Sequence, residues 1–278
     1  MTTSRRDLEI SACDRATPEA ALRQLAGHHS ERVRAAVALN PAAPTDLLLT
    51  LVQAPSNWVA GLAASHPAAD RSVWEAAFAR GGRVLIDLVA VPWLDLDLAA
   101  AAAATGDAEV REPLASHTAR RALLVQLAGD ADPKVRAGVA RNRFAGELWT
   151  TLAKDPQRQV RAAVAGNPYA PDELMTIFAT DRSADVRWVA ASTHPHNPQV
   201  VAAFIDDLDP IVADHARQHL RAPAERTFEP DGSVLWQYPG ENEGPPPWSA
   251  LDDPQADVLG IAEHARRVEV EARLRALR

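Results

Sequence analysis

Eight valines constrain this chain more than anything else in it. Val33, Val59, Val84, Val110, Val135, Val160, Val186 and Val212 follow one another at intervals of 26, 25, 26, 25, 25, 26 and 26 residues. Four positions on, every copy is again apolar: Val37, Ala63, Leu88, Leu114, Val139, Val164, Ala190 and Ala216. An i, i+4 pair gives each copy one apolar stripe on a short helix. A unit this small cannot bury such a stripe alone, so the period dictates a stack of repeats sharing a continuous core.

The ends of the units are legible too. Seven residues after each valine stand Asn40, His66, Val91, His117, Asn142, Asn167, Thr193 and His219, and Pro41, Pro67, Pro92 and Pro168 follow four of them. Proline drives the residue before it out of the α region, and asparagine suits a helix end because its amide bonds nearby backbone. A second apolar run then opens at Pro18, Pro44, Pro171 or Pro198, where proline fits a first helical turn. A partial unit over about residues 8–32 caps the N-terminal end.

The resulting pattern, VRxxVAxNPxxPxxLLxxL, is similar to the leucine-rich repeat variant family, a HEAT-like α-solenoid class. Val33-Arg34, Asn40-Pro41, Pro44 and Leu47-Leu48 carry it, as do Val160-Arg161, Asn167-Pro168, Pro171 and Leu174. It covers roughly residues 8–221, with degenerate copies at 59–79 and 84–104. The resemblance implies an all-α fold, a right-handed α-solenoid of about eight 25–26-residue repeats built from short α and 3₁₀ helices. It implies no activity. Pro113 near a helix start, and the missing arginine and Asn-Pro stop in the copy at Val212, mark irregular or terminal units.

Composition narrows the function classes. Aromatics are only 5% and the net charge is −8, with no basic excess of the kind a general nucleic-acid binder carries. Residues 223–278 hold 6 basic and 11 acidic side chains, a net of −5. The one cysteine, Cys13, excludes an intrachain disulfide framework and a multi-Cys zinc or cysteine-only Fe–S site. No apolar h-region opens the chain and no run of ~18 apolar residues interrupts it, so a cytoplasmic protein without a membrane partner is expected. Three segments follow: the solenoid over 1–221, a Pro/Gly-rich linker over 222–254, and an amphipathic helix over 255–278. Within the linker, Thr227–Glu229 and Ser233–Tyr238 flank a turn and suggest a small hairpin, which must lie on the repeats to be stable. The helix presents Val258, Ile261, Ala262, Ala265 and Val268 as its apolar face.

Two charged columns run through the repeats. Arg34, Arg111, Arg136, Arg161 and Arg187 follow the anchor valine, and Asp130, Asp155, Asp181 and Asp207 stand five residues before it. Such aspartates suit helix capping, or a ladder of Asp/Arg pairs that fixes repeat register. An exposed arginine stripe would instead bind phosphates. His194 with His196, and His215 with His219, lack a neighbouring cysteine or HExxH pattern, so no metal site and no cofactor are expected. His66, His117 and His219 stand in the asparagine column, where helix-end hydrogen bonding explains them. Trp74 and Trp149 fall near core positions. Trp58, Trp93, Phe144, Tyr169 and Trp188 fall off the core columns and are candidates for a partner surface; covering repeat junctions or the tail is the competing role. No catalytic set emerges: Asp206, Asp207 and Asp209 cluster without a partner group, and no phosphate loop or GxSxG elbow is present.

The expected function is therefore a non-catalytic scaffold that binds a protein partner of unknown identity. The alternatives are a nucleic-acid module with an arginine-lined concave face, and a HEAT-like lyase or DNA glycosylase. The last requires a deep pocket with a carboxylate beside aromatic rings.

Overall fold

The computed structural model describes residues 4–221, 225–228, 234–237 and 258–276. They form two compact units, each a stack of helix pairs. Of the described residues, the first comprises 4–98 with 258–276, and the second comprises 99–221 with 225–228 and 234–237.

In the first unit the anchor valines sit on α3 (Glu31–Leu39), α5 (Asn57–Ala64) and α7 (Gly82–Val89). α1 (Arg5–Cys13) and α2 (Glu19–Ala26) begin the stack, and α4 (Thr45–Val52) and α6 (Arg71–Arg80) return the chain. The helix α8 (Leu96–Ala103) straddles the boundary. In the second unit the anchor helices are α9 (Ala108–His117), α11 (Pro133–Arg141), α13 (Arg158–Ala165), α15 (Ala184–Thr193) and α17 (Pro210–Arg221). Its return segments are α10 (Arg121–Ala128), α12 (Leu148–Leu152), α14 (Asp172–Met175) running into a 3₁₀ turn over Thr176–Thr180, and α16 (Pro198–Ala202).

All eight anchor valines and all eight residues four positions on are buried. Each valine contributes roughly 1.5–2 kcal/mol by that burial. The second-run prolines stand one place earlier than a first-turn role requires in three cases. Pro18, Pro44 and Pro171 are N-cap residues with extended backbone, and only Pro198 is the first helical residue. Anchor helices also approach closely. A Cβ on Gly138 of α11 would stand 2.8 Å from the Glu112 carbonyl oxygen of α9, so only glycine permits that spacing.

The asparagine column fastens neighbouring repeats. Asn142 is buried; its amide nitrogen donates to the Ala115 and Thr118 carbonyls of the preceding repeat at 2.8 and 2.9 Å, and its oxygen accepts from the Phe144 N–H. Asn40 and Asn167 do the same with Ala12, Asp14 and Ala140. His66 copies both bonds with one ring: Nδ1 accepts from the Ala68 N–H, and Nε2 donates to the Asn40 carbonyl at 3.0 Å. Two expected occupants of the column are displaced by one residue. α9 and α15 each run two residues longer than α13, so the caps are the buried Thr118 and His194, while His117 is exposed and Thr193 is still helical.

The charged columns meet as bidentate pairs. Nε and Nη2 of Arg111, Arg136, Arg161 and Arg187 reach both oxygens of Asp130, Asp155, Asp181 and Asp207 at 2.6–3.1 Å. Nη1 of each turns back to carbonyls ahead of its own helix, as when Arg136 donates to Asp130 at 2.8 Å. The aspartates do not cap the helix. Each accepts from the N–H two residues on, and for α11 the cap is Asp132. Arg34 makes the same backward bonds, to His28 and His29, but Ala54 stands where its forward carboxylate would be.

Two strands, β1 (Glu225–Phe228) and β2 (Val234–Gln237), pair antiparallel with Phe228 opposite Val234. The pairing starts two residues earlier than the hairpin expected from Thr227. The Pro-Asp-Gly turn between them and residues 238–257 lie outside the described residues. The last helix, α18 (Val258–Ala276), packs on α1 and α3 within the first unit. Its buried face runs through Leu259, Glu271 and Leu274, whereas Ala265 is exposed. Of the expected apolar face, Ala262 and Val268 are half-buried, and the side chains of Val258 and Ile261 lie outside those described.

Candidate functional site

One face of the anchor helices is defined by the positions one before and two, three and six after each valine. On α3 the last three of these are Ala35, Ala36 and Leu39, and none is more than 3% exposed. α18 lies over this helix. On α13 the equivalents, Ala162, Ala163 and Gly166, are half-buried or exposed. In the second unit Ala137 and Gly138 of α11 are buried as Ala35 and Ala36 are, and the columns open at Arg141 and on α13.

Beside α18, the first unit encloses a cavity of about 330 Å³ between Trp58, Trp93, Asp87, Arg83 and Arg266. Arg266 of α18 donates to the Ser65 carbonyl and hydroxyl, and burial lowers its pKa to about 10. Burial also raises the Asp87 carboxyl, against the opposing effect of Arg83, whose Nε lies 3.0 Å away. Burial, followed by the charge of Arg266, pushes the neighbouring His66 down to about 4, so its ring is neutral. Cys13, facing the Ala36 carbonyl, is pushed up to about 12 by burial and stays a thiol.

The open face of the second unit has a floor of small residues, Ala137, Ala162, Ala163 and Gly166, between charged rims. Ion pairs Glu112–Arg141 and Arg158–Asp185 cross it from one anchor helix to another. Its far end carries Trp188, 44% exposed, and Ile211, 69% exposed, beside Val189.

The five off-core aromatics therefore go to three places. Trp58 and Trp93 share the cavity. Trp188 stands on the open face, its ring centroid 6.0 Å from that of His215. Phe144 and Tyr169 flank Arg143, whose guanidinium lies 4.4 Å from the Tyr169 centroid, and Phe228 of the hairpin stacks on Tyr169 at 5.3 Å. Tyr169 is thus engaged by the chain's own hairpin. Trp74 and Trp149 are buried.

The ladder arginines have little to offer phosphate. Each is 7–15% exposed at its side chain and holds a carboxylate. Hydrogen bonds from Arg111 hold Asp130 below the ordinary carboxylate range. For Asp155, Asp181 and Asp207, burial pushes upward, but the arginine and backbone hydrogen bonds outweigh it and the carboxyls sit low.

Sequence spacing missed one convergence. Asp172 opens α14, a full repeat before His194 and His196, yet its carboxylate meets both: Oδ1 is 2.7 Å from His194 Nδ1 and Oδ2 is 3.3 Å from His196 Nε2. Stacking, not spacing, brings the carboxylate in.

No known family's sequence model matches this chain, and no curated protein matches it. Among solved structures it is similar to a leucine-rich repeat variant with a novel repetitive structural motif, at 24% identity over 64% of this chain and 72% of that one, TM-score 0.42. It is also similar to the Escherichia coli protein YibA, at 15% identity over 80% and 98%, TM-score 0.40. A computationally designed armadillo repeat protein for modular peptide recognition gives 13% identity over 78% and 99%, TM-score 0.26. The repeat architecture itself rests on the chain's own period and packing.

Proposed function

We propose that this chain is a non-catalytic repeat scaffold that binds a partner protein through an amphipathic helix laid on the open anchor-helix face of the second unit. The observation that supports it is α18: the chain's own amphipathic helix packs on an anchor helix, α3, in the first unit, where Ala35, Ala36 and Leu39 are buried. An alanine and glycine floor lets a second helix approach closely, charged rims set its register, and Trp188 and Ile211 provide an exposed apolar anchor. The cytoplasm is the compartment proposed with it, where the Cys13 thiol stays reduced.

The arginine-lined nucleic-acid face loses support, because the column that would form it is committed to aspartates. The cavity at Trp58 and Trp93 does place a carboxylate beside indoles, the requirement of the enzyme alternative. That carboxylate is paired with Arg83, and no second acid or base lines the cavity, so binding remains the better-supported reading.

The test is cross-linking capture from the native host with full-length protein and with the double variant Ala162→Arg, Trp188→Glu. A helical segment of one protein should cross-link to residues 134–188 of the wild type and be lost from a variant whose melting temperature is within a few degrees of it. Recovery of nucleic acid, or capture indifferent to both substitutions, would overturn the assignment.

A further inference from the structure

Asp172, His194 and His196 are, among the described residues, the one group of three metal-ligand side chains whose donor atoms lie within 4.8 Å of one another. All three belong to the second unit. His194 is fully buried, and its place in the asparagine column fixes its chemistry: Nε2 faces the Asn167 carbonyl at 3.3 Å. A carbonyl only accepts, so Nε2 bonds there in the tautomer that carries its hydrogen on Nε2. In His66, the other ring occupying this column role, Nδ1 is then satisfied by a backbone N–H two residues on. In His194 Nδ1 instead faces a carboxylate oxygen at 2.7 Å. With the ring hydrogen on Nδ1 the neutral imidazole donates to Asp172; with it on Nε2 the Nδ1 lone pair faces the carboxylate, the arrangement that a metal ion between them satisfies.

We infer that Asp172, His194 and His196 form a binding site for a divalent transition-metal ion of the zinc class. Imidazole nitrogen and carboxylate oxygen are the donors that class takes. Ligands on a tetrahedral zinc, about 2.0–2.1 Å from it, stand about 3.3 Å apart. The 3.3 Å separation already matches, the 2.7 Å separation, made by the other carboxylate oxygen, must open by about 0.6 Å, and all the donor atoms lie within 4.8 Å of one another. The outer contacts have the form that orients metal ligands: Nε2–H of His194 donates to a backbone carbonyl, and the Asn197 amide donates to Asp172 Oδ2 at 2.8 Å. Asn197 is in turn locked as the N-cap of α16, its oxygen accepting from Gln199 and Val200. Asp172 and His196 keep 24% and 18% of their side chains exposed, so the cluster lies close to the surface. The ion would tie α14 to the loop after α15, the repeat junction at which the Asn-to-carbonyl fastening gives way to a histidine. Both flanking return helices are short there, five residues or fewer, so the junction has little helix of its own to hold it.

Equilibrium dialysis of tag-free full-length protein against Zn²⁺, and visible absorption with Co²⁺, test this directly. One equivalent of metal, a rise in melting temperature with Zn²⁺, and Co²⁺ bands of nitrogen/oxygen tetrahedral type are expected. His196→Ala and Asp172→Asn should weaken uptake by at least about 10–100-fold. His215→Ala should leave it unchanged. His196 lies outside the column fastening, so its variant stays folded and the comparison stays readable by circular dichroism without metal. No uptake at tens of micromolar Zn²⁺, or uptake that survives both ligand variants, would overturn the site, and the 2.7 Å contact would then be a hydrogen bond from His194 Nδ1–H to Asp172.

Discussion

At the scale of single residues, His66 shows how one column position accepts two chemistries. Its ring makes the two bonds that Asn40 and Asn142 make with an amide, but it titrates and they do not. The folded state holds its pKa at about 4, against 6.5 unfolded. Because the folded value is depressed, the unfolded chain takes up the proton first as acid is added. His66 therefore costs nothing above pH 6.5 and removes stability as pH falls from 6.5 toward 4, by roughly 2–3 kcal/mol. His66→Asn should flatten the melting temperature between those pH values relative to wild type. An unchanged pH profile in the variant would show that the loss arises elsewhere. The column's asparagines were legible in the sequence. Which neighbour takes the role in the fourth and seventh copies was not, because helix length, set by tertiary packing, decides whether His117 or Thr118, and Thr193 or His194, faces the junction.

At the scale of elements, the Asp/Arg ladder is where sequence and structure agree on partners and differ on mechanism. The columns predicted either caps or pairs; the structure has pairs between consecutive repeats, with the cap left to another residue. Arg161 is 6% exposed, so removing it strands a buried carboxylate at Asp181. We expect Arg161→Ala to cost about 3–5 kcal/mol in urea unfolding. The double variant Arg161→Met, Asp181→Leu should regain much of that, since a well-packed apolar pair avoids the desolvation of both charges. A loss below 1 kcal/mol in the single variant would mean the pair behaves as a solvated surface bridge.

At the scale of the whole molecule, the last helix is as much part of the first unit as the repeats are. Leu259 and Leu274 are 3% and 6% exposed, and α3 beneath them has lost its free face. Leu259→Asp with Leu274→Asp should release α18. Amide exchange should then quicken over Glu31–Leu39 while Arg158–Ala165, in the second unit, keeps its protection. Equal loss in both segments would mean that the substitutions unfold the chain instead of lifting one helix.

The sequence by itself determined the period, the valine stripe, the helix stops and the charged columns, because each depends on spacing within one short unit. The same reading separated fold from activity and directed attention to the off-core aromatics. Only tertiary structure decided what meets across repeats and across the length of the chain. It put α18 on α3, stacked Phe228 on Tyr169 while leaving Trp188 open, and carried Asp172 to His194 and His196. Contacts of that kind depend on where a helix ends and what lies above it. Packing sets both, and a column of residues 25 apart does not encode them.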